Sequence, residues 1–92
     1  MIQSFGDRDT RDLYAGISCR RWMNIEPSAM RKLVMLDHAK DLADLRIPPS
    51  NRLKPLKGDL AGYHSIRIND QFRVMFIWRD GHAHHVRIVD YH

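Results

Sequence analysis

Three residues in the second half of the chain have side chains that together could cleave a phosphodiester. Arg73 offers a planar fork for phosphate oxygens, Asp90 a carboxylate, and His92 the group that titrates nearest neutrality. A ribose 2′-hydroxyl attacks its neighbouring phosphate when a base takes its proton and an acid protonates the leaving 5′-oxygen. Cations must stabilise the charge that builds on the phosphate oxygens between those events. Neither a metal nor an organic cofactor is needed. More cations lie in Arg52-Leu53-Lys54-Pro55-Leu56-Lys57-Gly58-Asp59, where Arg52, Lys54 and Lys57 fall within six residues of a loop shaped by Pro55 and Gly58.

These side chains act together only if the second half of the chain gathers them. From Tyr63 onward the pattern has period two: His64, Ile66 and Ile68 alternate with Ser65 and Arg67, a strand half exposed to water. Phe72, Val74, Phe76 and Trp78 alternate with Arg73, Met75, Ile77 and Arg79, a strand apolar enough to be central. Asp80-Gly81 is a hairpin signal, and residues 82–91 return as the final strand. With Arg79 opposite His82, an uninterrupted register sets Met75 across from Val86, Arg73 from Ile88 and Gln71 from Asp90. Arg73 and Asp90 are then diagonal neighbours on one face, about 7–8 Å apart. His92 shares the parity of Asp90 and would emerge beside it, while Met75, Ile77 and Val86 make the same face apolar near the turn. One β-bulge would separate Arg73 from Asp90.

The first half supplies the cover. Ile2–Phe5 is short and could add a strand. Asp7–Ala15 reads as a short helix ending at Gly16, and Pro27 to about Leu45 as the main helix, stopped by Pro48-Pro49. Met30, Leu33, Val34, Leu36 and Leu45 form its apolar stripe; Arg31, Lys32, Asp37, Lys40, Asp41 and Asp44 are expected on its wet face. Residues 46–62 read as a loop. The fold class is therefore α+β, with helices first and an antiparallel meander for them to cover.

A chain of 92 residues and 10.9 kDa supports one domain over 1–92, and its 43% hydrophobic and 28% charged residues are those of an ordinary globule. No apolar run approaches the ~20 residues of a membrane span. The opening residues lack the features of a secretory signal, and Cys19, alone of its type, cannot form an internal disulfide. A cytoplasmic protein is expected. Residues 1–46 hold eight basic and seven acidic side chains, residues 47–92 seven and four, so the net charge of +4 is concentrated in the second half. A basic half attracts polyanions. His82, His84 and His85 fall on both faces of a strand and make poor converging metal ligands, so no metal site is expected. Trp22 is expected as a core anchor, and His64 and Tyr63 either pack or line a channel.

Leu53-Lys54-Pro55-Leu56-Lys57-Gly58-Asp59, Tyr63-His64-Ser65-Ile66-Arg67-Ile68-Asn69-Asp70-Gln71-Phe72-Arg73 and the terminal Val89-Asp90-Tyr91-His92 together resemble the HigB branch of the RelE-type toxins of bacterial type II toxin–antitoxin pairs. The resemblance spans nearly the whole chain. It implies a compact RelE-like, microbial ribonuclease-like fold with N-terminal helices on one face of a twisted antiparallel sheet. It implies ribosome-dependent endoribonuclease action on translated mRNA, leaving a 2′,3′-cyclic phosphate or 3′-phosphate. It also implies inhibition by a cognate helix-turn-helix antitoxin, through which alone the toxin would reach operator DNA. Carried over by position, Lys57 and Arg73 bind and neutralise the scissile phosphate. His92 transfers protons, Asp90 orients it or shares that work, and Tyr91 stacks on or positions the substrate. Lys54 stands where several HigB toxins carry histidine. An exposed amino group is a poor base at neutral pH, so Lys54, like Arg52, reads as a phosphate contact. That departure keeps open a noncatalytic growth inhibitor binding the ribosome or its assembly intermediates through the same face; a co-repressor partner of the antitoxin is a third reading.

Overall fold

In the computed structural model, which describes residues 1–90, two helices precede four strands: α1 (Arg8–Tyr14), α2 (Glu26–His38), β1 (Lys54–Pro55), β2 (Tyr63–Arg67), β3 (Phe72–Arg79) and β4 (His82–Asp90). α1 begins where the carboxylate of extended Asp7 accepts from the Thr10 amide at 2.8 Å, satisfying a donor that the first turn leaves orphaned. Pro27 follows Glu26 in the first turn of α2, where a missing N–H costs nothing. Ala29, Leu33 and Leu36, at i, i+4 and i+7, form its buried stripe.

α2 ends well before the expected Leu45. Asp44 Oδ2 accepts from the amides of Lys40 and Asp41 at 3.0 and 3.1 Å, and the chain turns extended at Ala39 (ψ 134°) before a separate 3₁₀ turn over Leu42–Arg46. These side-chain-to-backbone bonds outcompete continued helix. Leu45 still reaches the core from that turn. Two of the residues expected on the wet face are drawn inward. Lys32 donates to Asn51 Oδ1, and half-buried Asp37 accepts from the Ile2 amide at 2.7 Å and the Tyr14 hydroxyl at 2.8 Å.

The sheet has order β1-β2-β3-β4, antiparallel throughout, with β3 interior as its apolar sequence requires. Asp80 (φ 54°) and Gly81 (φ 79°) both adopt positive φ, the type I′ turn that a two-residue hairpin favours. The helices cover one face, where Leu13, Trp22, Leu33, Leu36, Ile66, Val74, Phe76, Val86 and Ile88 form the core. Trp22 is 1% exposed, the anchor expected of it. The N-terminal segment runs parallel to the outer edge of β4 through two isolated bridges, Ile2↔Ala83 and Phe5↔Val86, without forming the extra strand that Ile2–Phe5 could have added. Among the described residues no helix is long and apolar enough to cross a membrane.

The register expected for the hairpin holds only near the turn. Ile77 faces His84, but Met75 faces Arg87, so β4 carries one extra residue opposite Phe76. His85 takes φ 52° there, and its amide donates to Ser4 Oγ at 2.9 Å. Beyond the bulge Arg73 pairs with Val89, not Ile88, and Asp90 with Phe72, not Gln71.

The Asp37 carboxyl is held below its ordinary value, chiefly by the Ile2 amide and secondarily by the Tyr14 hydroxyl, against the opposing effect of burial. The Tyr14 phenol is pushed up to about 12 by burial and then by Asp37. A depressed native carboxyl stabilises the fold at pH above its ordinary range, and that contribution is lost as pH falls toward the native value. Asp37→Asn should therefore cost about 1 kcal/mol at neutral pH and flatten the acid limb in urea unfolding from about pH 7 to about pH 3. An acid limb as steep as that of the wild type would refute this role.

Candidate functional site

The face of the sheet turned away from the helices is set by pairing. Lys54 pairs with Ser65, Ser65 with Met75, and Arg67 with Arg73, so Lys54, Ser65, Arg67 and Arg73 project on one side. Arg73 is only 6% exposed, and a buried guanidinium is tolerated only when its N–H groups find acceptors. Its Nε donates to Ser65 Oγ at 2.8 Å, and Nη2 to the carbonyls of Arg52 at 2.7 Å and Ser65 at 3.3 Å.

The Arg52 carbonyl is delivered by the loop before β1. Arg52 adopts a left-handed conformation (φ 47°, ψ 51°) after a 3₁₀ turn over Pro49–Asn51. Asn51, fully buried, donates its amide to Met35 Sδ and the Leu45 carbonyl, both at 3.1 Å, and accepts from Lys32. The loop is thus tied to α2 just where it must meet Arg73.

Around this anchor lies an open cleft of about 370 Å³ lined by Arg52, Lys54, Arg67, Asn69, Asp70 and Arg73. Among the described residues four cations face one carboxylate there, Asp70, which is ion-paired with Arg67. Such a site can bind a phosphodiester and neutralise the charge that develops on it during displacement. Lys57 lines an adjoining depression of about 340 Å³ with Pro55 and Leu56, and Lys54 lines both hollows. Arg52, Lys54 and Arg73 therefore converge as expected, with Lys57 next to them.

Asp90 departs from expectation. The extra residue at the bulge turns it to the helix side of the sheet, opposite Phe72, where it accepts from Gln71 Nε2 at 3.1 Å. The diagonal with Arg73 on one face is thereby overturned. Val86 likewise moves to the core face, fully buried. Tyr91 and His92 lie outside the described residues. Ser65, Arg67, Asn69 and Asp70 belong to the site although the sequence reading did not select them. The available signal was parity: Ser65 and Arg67 alternate with the core-facing isoleucines, hence face the side that Arg73 faces. His64 packs: its ring stacks on Phe76 with centroids 6.2 Å apart, and burial pushes its imidazole below the ordinary range.

A family model described as the RelE-like toxin of the type II toxin–antitoxin system HigB matches residues 3–92. Toxin HigB-1 of Vibrio cholerae serotype O1 is 52% identical over 60 residues, 65% of this chain and 63% of that protein, so the match spans less than two-thirds of the relative. Among solved structures, a mutant of YafQ from Escherichia coli superposes with a TM-score of 0.68 at 12% identity, covering 98% of this chain and 93% of that one. The toxin of the heterotetrameric YoeB–YefM toxin–antitoxin complex from Staphylococcus aureus gives 0.59 at 19% identity, covering 100% and 98%. At such identities the structural likeness speaks for the fold: α+β, with helices on one face of an antiparallel sheet.

The anchoring of Arg73 makes a differential prediction. Ser65→Ala removes the acceptor of a buried Nε and should cost about 1–3 kcal/mol. Arg52→Ala keeps the carbonyl that Arg73 uses and should stay within about 0.5 kcal/mol of wild type. Equal losses in urea unfolding would show that the Ser65 hydroxyl does not hold the guanidinium.

Proposed function

The chain belongs to the HigB-like family of RelE-type toxins, and on that premise we propose that it is an endoribonuclease cutting translated mRNA on the ribosome. The observation that carries this reading is the buried, triply anchored Arg73 at the centre of a cationic cleft. A guanidinium held in advance of binding costs no reorganisation when charge develops on a phosphate. In this reading the ribose 2′-oxygen attacks phosphorus, the bond to the 5′-oxygen breaks, and a 2′,3′-cyclic phosphate remains, which water can open to a 3′-phosphate. Arg73 and Lys54 bind the scissile phosphate, with Arg52 beside them and Lys57 reaching in from the adjoining depression. His92 moves the protons, Asp90 orients it or shares that work, and Tyr91 stacks on or positions the substrate. The side chains supply the acid, the base and the positive charge, so the proposed chemistry calls for no metal or cofactor.

The partner proposed for this toxin is a helix-turn-helix antitoxin, through which it would also act at operator DNA; the assembly of the Staphylococcus aureus relative with YefM supports an antitoxin partner. Its place of action would be the cytoplasm, where mRNA is translated. Lys54, standing where several HigB toxins have histidine, favours one second reading, noncatalytic binding to the ribosome through the same face.

Primer extension on a translated message separates the two. Wild type should create discrete new 5′ ends. Arg73→Ala and His92→Ala should lose them, each slowing cleavage by about 10²-fold or more. Growth arrest without new ends would establish the noncatalytic reading. Full cleavage by His92→Ala would remove that residue as acid or base.

A further inference from the structure

Arg67 and Arg73 stand directly opposite each other on β2 and β3. Like charges so placed repel, and the two are stabilised differently. Arg73 is fixed by Ser65 and two backbone carbonyls. Arg67 is instead ion-paired with Asp70, three residues on, whose side chain is 99% exposed. The charge around Arg67 is positive on another side as well. On α2 the Lys32 ammonium is pushed below its ordinary range by burial, then by Arg31 and Arg67. Among the described residues Asp70 is thus the single carboxylate lining a cleft with four cations, and its side chain stands open to water.

We propose that Asp70 is a built-in counter-ion that a phosphate of the RNA displaces, and that Arg67, once released, binds the phosphodiester next to the one held by Arg73. This inference rests on the reading of the cleft as an RNA site and assigns its second phosphate position. The exchange is physically easy. An ion pair this exposed holds its partners weakly, whereas a guanidinium binds phosphate oxygens through a planar, charge-assisted fork. Directly opposed Cα atoms lie about 4.5–5.5 Å apart, so two long side chains can splay from them to successive phosphates. In the free protein Asp70 offsets the repulsion between Arg67 and its cationic neighbours; in the complex the carboxylate turns into solvent.

The proposal predicts a gain of binding from a loss of charge pairing. The probe is a short single-stranded RNA with 2′-O-methyl riboses, which cannot be cut, titrated against the full chain by fluorescence anisotropy over a range of salt. Asp70→Asn should tighten binding about two- to fivefold, the effect of removing one exposed competing charge. Arg67→Gln should weaken it about three- to tenfold and reduce the slope of log affinity against log salt by about 0.7, one phosphate contact on a single strand. With Arg67 already replaced, Asp70→Asn should yield little of its gain. Unchanged or weaker binding by Asp70→Asn overturns the counter-ion. If Arg73→Gln weakens binding while the Arg67 and Asp70 variants match wild type, this inference alone fails. If Arg73→Gln also binds as wild type does, the reading of the cleft as an RNA site fails with it.

Discussion

A guanidinium withdrawn from water must be surrounded by acceptors, and much of this structure follows from meeting that demand for Arg73. Among the described residues its acceptors include Ser65 in the neighbouring strand and the carbonyl of Arg52 in the preceding loop. Hydrogen bonds to charged groups contribute about 1.5–3 kcal/mol each, enough to fix the loop. That loop in turn depends on Asn51, clamped between α2 and the backbone at Leu45. A chain of polar contacts therefore runs from Lys32 on the helix, through Asn51 and Arg52, to Arg73 on the central strand. The cleft wall is thereby tied to the core behind it.

The sheet divides its work by face. The helix side carries the apolar core, and the far side carries charge. The bulge at His85 governs which residues of the last strand join which side. Before it, alternation follows the hairpin; after it, every side chain is reversed relative to a regular ladder. Val86 and Ile88 thereby complete the core, and Asp90 leaves the face of Arg73. One inserted residue decides both the packing of β4 and the composition of the site.

How much of this could be read in the sequence depended on how local its causes were. The alternation from Tyr63, the Asp80-Gly81 turn, the central place of β3 and the existence of α1 were legible because each is written in a few adjacent residues. The end of α2 was misread because Asp44 reaches back to amides at Lys40 and Asp41, a competition that apolar periodicity does not register. Asp37 and Lys32 looked like solvent-facing charges; their partners, Ile2, Tyr14 and Asn51, lie 35, 23 and 19 residues away. In the site, Arg52, Lys54 and Lys57 were legible as a local cluster of cations, and Arg73 as a phosphate ligand on the central strand. Arg67 was passed over as a water-facing residue, although strand parity put it beside Arg73. Asp90 was misplaced for a nonlocal reason, since the bulge is stabilised by Ser4, at the other end of the chain.

That last link has a bearing on how the molecule comes into being. Residues 1–6 are synthesised well before β4, yet they lie against Ala83, His85 and Val86, a separation of 81 residues for the Ser4–His85 bond. Contacts this distant in sequence incur the full entropy of loop closure before they return any energy, and they delay folding accordingly. A nascent chain still short of its final strand has nothing for its opening segment to join, and the outer edge of the hairpin remains unsealed. Completion of the fold is thus coupled to completion of synthesis through β4.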